Sequence, residues 1–306
     1  MAVQALDWNS TGTTVVVGYG HSQHENWCTH KGLLCSWNVE RRRLDPHKAD
    51  VCIDCPSCVS SAKCHPLQPT LVAVGCVNGA VAALELEENG RDFDAFDKKA
   101  VASEDSTLFL AGGETGALLH CSLLATDPIG SLSTHTVHSP LVMNLRGNPS
   151  ASAVLSCSAH PAHRNLFLVC SADGVVSIYD ALRVDPLLQV EPATQKGLCC
   201  AQWLPSRPDA VAAVSRDGRV HFLAINGKDK IGTEIKSLSV LEGSASAAQQ
   251  LTAAAFNQNA VKLFAAGDSD GNISVWKIRG AALLESFGSE EQGALESLLK
   301  VNREEE

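Results

Sequence analysis

From His160 to Leu182 the chain reads HPAHRNLFLVCSADGVVSIYDAL. Leu166 to Ser171 is a short apolar run, Asp173-Gly174 marks a tight turn, and Val175 to Tyr179 alternates before closing on Asp180. Two β-branched or apolar runs separated by Asp-Gly read as a β-hairpin. The pattern returns in DAVAAVSRDGRVHFLAI, turning at Asp217-Gly218, and in KLFAAGDSDGNISVWKI, turning at Asp270-Gly271. These turns lie 44 and 53 residues apart, near the ~40–45 residues of one four-stranded propeller blade. A hairpin pair of this kind has two apolar faces, so each unit needs a neighbour to bury them.

Six such repeats are legible. The first runs through VQALDWN, TTVVVGYG and GLLCSWNVE, with a polar insertion from His21 to Lys31 between its second and third strands. The second reads SSAKCHP, TLVAVGC, a turn at Asn78-Gly79, then AVAALEL. The third, AVASEDSTLFLAGGETGALLHCSLL, turns at Thr115-Gly116. AVLSCSAHP opens the fourth, GLCCAQWLPSRP the fifth and LTAAAFNQNAVKLF the sixth. Trp37, Tyr179, Phe222 and Trp276 end third strands, where an aromatic packs between blades.

The segments between repeats lose the alternation. Residues 85–99 gather Glu85, Glu87, Glu88, Asp92, Asp94 and Asp97 and read as a solvated acidic loop. Residues 126–152 form a Ser/Thr/Pro/Gly-rich connector. AALLESF, after Ile278, fits an outer strand of the sixth repeat. Beyond it, Ser289 and Gln292 match a capping box, and Leu295, Leu298 and Leu299 make a narrow stripe on a short acidic C-terminal helix. The expected division is a β-propeller over 1–288 and a helical tail over 289–306.

Composition narrows the function. With 45% hydrophobic residues in 306, the chain can bury a large core. A net charge of -10 argues against nucleic acid and against anionic membrane surfaces, which both require a basic footprint. No apolar run reaches ~18 residues and MAVQALDWNS lacks the features of a secretory leader. A protein partner is expected, with no membrane and no nucleic acid. The twelve cysteines sit mostly on apolar strand-like segments and read as free thiols in a reducing compartment.

Apparent chemical motifs fare poorly in context. Cys52, Cys55, Cys58 and Cys64 have a spacing that resembles zinc or iron–sulfur sites. Residues three apart on a strand point to opposite faces, which favours small apolar fillers, although Pro56 and Ser57 leave a loop open. His21, His24, Cys28 and His30 lack regular ligand spacing and read as a polar insertion. Gly267 to Gly271 matches G-x-S-x-G, yet a strand follows where the nucleophile elbow requires a helix. Gly112 to Gly116 lacks the Lys-Ser/Thr of a phosphate loop. No catalytic residue, metal or cofactor is expected. Trp27, inside the polar insertion, and the basic triplet Arg41, Arg42 and Arg43 are the candidate partner contacts. Asp173, Gly174, Asp217, Gly218, Asp270 and Gly271 are expected structural turns.

ALDWNSTG, VVVGYG with its Trp27 insertion, LLCSWN, SCVSSAKCHPLQPTLVAVG, HRNLFLVCSADGVVSIYD and LFAAGDSDGNISVWKI together resemble the WD-repeat domain of dynein intermediate chains. Within that family the likeness is greatest to the dynein-2 branch, which serves intraflagellar transport. The resemblance implies a WD40 β-propeller of seven blades, against the six legible here. It implies a non-catalytic scaffold that grips the heavy-chain tail beside a second intermediate chain and joins the intraflagellar transport train. Light chains would bind an N-terminal segment that is expected to be absent, because the chain starts inside the first repeat. The implied location is the cilium or flagellum, with the basal body and cytoplasm. Axonemal or cytoplasmic dynein intermediate chains and general WD40 adaptors, such as ubiquitin-ligase substrate receptors, are the alternatives. A metal or redox protein built on the cysteine run is a third.

Overall fold

The computed structural model describes residues 1–21, 30–86, 108–112, 116, 118–122, 152–163, 165–180, 183, 185–192, 194, 196–205, 207–225, 233–239, 249–260 and 262–278. The described residues are all-β, in six antiparallel sheets whose strands are joined in sequence order. Sheet one holds β1 (Ala2–Trp8), β2 (Thr14–Gly20), β3 (Gly32–Asn38) and β4 (Val51–Cys55). Sheet two holds β5 (Val59–Cys64), β6 (Leu71–Cys76) and β7 (Val81–Glu85), and sheet three β8 (Leu108–Gly112) and β9 (Leu118–Ser122). Sheet four holds β10 (Val154–Ala159), β11 (Leu166–Ser171), β12 (Val176–Asp180) and β13 (Leu188–Val190). Sheet five holds β14 (Leu198–Leu204), β15 (Arg207–Ser215), β16 (Arg219–Ala224) and β17 (Thr233–Ser239). Sheet six holds β18 (Leu251–Phe256), β19 (Leu263–Asp268) and β20 (Ile273–Lys277). Each sheet corresponds to one of the six repeats read from the sequence.

Two compact units contain these sheets. The first has β1–β7 and β18–β20, the second β8–β17. In the first unit one core joins sheets one and two through Val16, Leu34, Ile53, Val59, Val72 and Val74. Another joins sheets one and six through Val3, Leu6, Trp8, Val15, Ala253 and Ala265, with Trp37 packed against it. In the second unit Leu168, Ile178, Leu198, Trp203 and Val211 knit sheets four and five. Leu118 meets Phe167, Val169 and Tyr179 between sheets three and four. Tyr179 stacks on Phe167 with centroids 5.5 Å apart.

Two devices recur that periodicity does not reveal. The first strand of five sheets carries a one-residue register shift near its start, at Val3/Ala5, Val59/Ser61, Val154/Ser156, Leu198/Cys200 and Leu251/Ala253. A bulge of this kind raises the local twist. Next to it a valine that begins one sheet packs where a glycine of the neighbouring sheet leaves room. A Cβ on Gly18 would overlap Val59, one on Gly112 would overlap Val154, and one on Gly267 would overlap Val3.

The hairpin turns are wider than a two-residue Asp-Gly turn. Gly174 N–H donates to Ser171 O at 3.0 Å, and Ser171 N–H to Val175 O at 3.0 Å, so the turn spans Ala172 to Gly174. Gly174 has φ 87°, a conformation only glycine adopts at little cost. Asp173 contributes through its side chain, whose carboxylate takes a hydrogen bond from Ser171 Oγ. Ser215 and Asp217 repeat that pair. In β19–β20 an aspartate, Asp268, replaces the serine and accepts from Asp270 N–H at 2.9 Å and Asn272 N–H at 2.8 Å.

The outer strands β4, β13 and β17 do not stand out in the sequence. β4 alternates buried and exposed residues, while β13 has only three residues. The acidic residues 87–99, most of the 126–152 connector and the 289–306 tail lie outside the described residues. Among the described residues no helix is long and apolar enough to cross a membrane.

Candidate partner-docking surface

Consecutive connections in an antiparallel meander leave a sheet at alternate ends. The β1–β2 and β3–β4 connections therefore share one end of sheet one, and the β2–β3 connection leaves from the other. Val39 N–H donates to Thr13 O at 2.9 Å, tying the first two together. At the opposite end His21 N–H points to Cys58 Sγ at 3.2 Å, and His21 and His30 rings lie 4.4 Å apart. Trp27 lies outside the described residues. The basic triplet sits on the β3–β4 connection, so the two sets of candidate contacts belong to connections at opposite ends of that sheet.

The basic connection is built by short polar side chains. Asp50 accepts from Asn38 N–H at 2.6 Å, Asn38 from Glu40 N–H at 3.0 Å and Asp45 from His47 N–H at 2.9 Å. The last two are Asx-type turns, which fix a loop without a hydrophobic core. Arg41 pairs with Asp50 at 2.8 Å, a surface contact of small energetic weight. Arg42 and Arg43 are exposed, and Leu44 beside them is 42% exposed.

A neighbouring sheet adds an apolar contact to the same end. Asp7, buried near the end of β1, accepts from Cys64 N–H at 2.9 Å and from Lys63 Nζ at 3.0 Å. The C-terminal ends of β1 and β5 thus lie together, and the β5–β6 connection emerges beside the β1–β2 one. There His65 Nδ1 accepts from the N–H groups of Leu67 and Gln68 at 3.1 and 2.9 Å, and Leu67 is left 81% exposed. The same cap recurs after other first strands. His160 accepts from Ala162 and His163 and Asn257 from Asn259 and Ala260 in the same way, whereas Asn9 holds the more distant N–H groups of Thr13 and Thr14. Leu44 and Leu67 escape a sequence reading, because a lone leucine in a loop carries no periodic signal.

The cysteine run does not gather. Cys52 is exposed and faces Cys35, whereas Cys55 is buried and hydrogen-bonded with Cys76. Cys58 lies by His30 O and Cys64 by Asp7. Burial, strengthened by the Asp7 carboxylate, pushes the Cys64 thiol well above its ordinary value. Burial does the same to Cys170. Tyr19, beside Cys35 and Cys52, is pushed up to about 12, burial being the main cause. The G-x-S-x-G match is the β19–β20 turn: Gly271 N–H donates to Asp268 O at 3.3 Å, and a strand follows.

Comparison with known proteins agrees with the repeat and the fold. Residues 139–180 match the family model "WD domain, G-beta repeat". The chain is 26% identical to cytoplasmic dynein 2 intermediate chain 2 of Homo sapiens over 90% of its own length and 65% of that protein's. It is 26% identical to the Mus musculus protein of the same name over 91% of its length and 66% of the relative's. It thus spans about two thirds of the length of these curated relatives. The crystal structure of the WD40 β-propeller domain of Doa1 matches with a TM-score of 0.54 at 12% identity, over 91% of this chain and 80% of that one. That likeness speaks for the fold alone. The chain has a WD40 propeller-like fold, and its sequence resembles the dynein intermediate chain WD-repeat family, the dynein-2 intermediate chain in particular.

Proposed function

We propose that the chain is a non-catalytic intermediate chain of the dynein-2 motor that holds the heavy-chain tail during retrograde intraflagellar transport in cilia. The observation that carries this reading is 26% identity to cytoplasmic dynein 2 intermediate chain 2 maintained over 90% of the chain. The physical role is docking by a preorganised surface. Connections fixed by Asx turns and histidine caps lose little conformational freedom on binding, which leaves more of the contact energy as affinity.

The end of the first unit that bears Arg41, Arg42, Arg43, Leu44 and Leu67 is the proposed contact for an acidic-rimmed, partly apolar partner surface. Trp27 is a proposed contact from the β2–β3 connection. A second intermediate chain and the transport train complete the proposed partners, and the cilium with its basal body the proposed location. The domain reading, a propeller to residue 288 and a helical tail from 289, belongs to the same proposal.

Affinity purification of the tagged chain from ciliated cells, followed by mass spectrometry, tests the proposal. Recovery of the dynein-2 heavy chain is expected. Recovery of axonemal heavy chains, or of ubiquitin-ligase subunits in place of any dynein, would replace this reading with one of its alternatives.

A further inference from the structure

Cys35 and Cys52 stand directly opposite one another on the paired strands β3 and β4. Their Sγ atoms are 3.1 Å apart and both are free thiols. A disulfide bond is about 2.05 Å long, so bonding needs roughly 1 Å of approach. The two differ in access, Cys35 being buried and Cys52 exposed. Among the described cysteines Cys52 is the only exposed one. An oxidant in solution therefore meets this pair through a single accessible sulfur with a resolving thiol already beside it.

We propose that Cys35 and Cys52 form a reversible dithiol–disulfide site, oxidised by a hydroperoxide and reduced by an external thiol. The Cys52 thiolate attacks one peroxide oxygen and the O–O bond breaks. Cys52 becomes a sulfenic acid, and the departing hydroxide takes a proton to leave as water. The Cys35 sulfur then attacks the Cys52 sulfur, forms the S–S bond and expels the sulfenic hydroxyl, which leaves as water with the Cys35 proton. Two thiols and one hydrogen peroxide give one disulfide and two waters, the two electrons passing from sulfur to peroxide. An external dithiol restores the pair through a mixed disulfide on Cys52, the sulfur that solvent reaches.

The order of attack agrees with the surroundings. Burial raises the Cys35 thiol above its ordinary value, and the neighbouring Cys52 and the Asp54 carboxylate raise it further. Cys35 is thereby the resolving partner. The bond closes the segment from Ser36 to Val51, which contains the Arg41–Arg43 connection. Oxidation thus tethers that connection at its base without touching the arginines. The site goes beyond the docking reading and does not depend on which partner binds.

Peptide mapping of the full chain tests it. The reduced protein is treated with hydrogen peroxide, blocked with N-ethylmaleimide and digested with trypsin. The expected product is Gly32–Arg41 linked to Ala49–Lys63, with fragmentation placing the bond on Cys52 and dithiothreitol releasing it. In Cys35→Ala the sulfenic acid has no partner, so dimedone labelling of Cys52 should rise several-fold over the parent. Recovery of Cys35 as its maleimide adduct while Cys52 is over-oxidised would overturn the proposal. A link through Cys55 or Cys58, or no dimedone adduct in Cys35→Ala, would do the same.

Discussion

The indole Nε1–H of Trp8 donates to the backbone carbonyl of Ala255 at 3.1 Å, across 247 residues of sequence. Trp203 Nε1–H makes the equivalent bond to Ser158 O at 3.1 Å. Each tryptophan lies at the end of a first strand and reaches a carbonyl on the first strand of the adjacent sheet. Around the first bond, Asn257 Nδ2 donates to Gly12 O at 2.6 Å and Asn259 Nδ2 to Ser10 O. The earliest and latest described sheets of the first unit are thus fastened by polar bonds as well as by the Val3–Gly267 contact.

Replacing Trp8 with Phe removes the Nε1–H bond to the Ala255 carbonyl and part of a buried ring. A loss of about 1–3 kcal/mol is expected, read from the denaturant midpoint. Trp203→Phe should cost a similar amount. A Trp8→Phe midpoint equal to the parent would show that this bond contributes nothing to holding the sheets together.

Gly174→Val places a β-branched residue at φ 87°, where an added Cβ meets no atom beyond its chain neighbours within 4 Å. Space around the Cβ leaves backbone strain as the main cause of the expected loss of about 1–3 kcal/mol. Gly174→Asn should lose less, because asparagine tolerates the left-handed region better. Thermal melts of the two variants compared with the parent check this ordering.

Burial pushes the Asp268 carboxyl up, but hydrogen bonds from Asn272, Gln249 and Asp270 outweigh it and hold the group below its ordinary value. A carboxylate lowered on folding adds stability above its unfolded value, about pH 4, and loses it as pH falls through the folded value. Asp268→Asn should therefore be destabilised at neutral pH, with the gap to the parent closing in acid. Urea midpoints across that range measure it, and a gap that widens in acid would be the wrong sign.

Arg42 and Arg43 lie on an exposed connection, so reversing both to Glu should leave the melting temperature within about 2 °C. Association with an acidic partner should weaken about tenfold or more, chiefly through a slower on-rate. Titration calorimetry or interferometry against the heavy-chain tail measures the change. Unchanged affinity would remove this connection from the docking surface.

Much of the fold is legible because its signal is local. Leu166 to Tyr179 alternates, turns and alternates again within a few residues, and each of the six repeats produces one sheet. What escapes the sequence depends on partners far along the chain. The Trp8–Ala255 bond, the Gly267–Val3 fit and the Asp7–Cys64 tie join residues whose spacing has no period. Outer strands such as β13 are short and carry little apolar signal. The proposed docking end is less legible still. Arg41 to Arg43 announce themselves by charge, whereas Leu44 and Leu67 become candidates only once folding places their connections at one end. Asp173 reads as a turn former, yet its carboxylate is committed to Ser171.

A scaffold must bind its motor without help from other subunits' chemistry, and that can be measured with two purified components. The chain is mixed with the tail of a dynein-2 heavy chain and followed by size-exclusion chromatography with light scattering. A stable co-eluting complex, with no reaction turned over, is the expected result. Separate elution of the two at micromolar concentration would contradict the scaffold role.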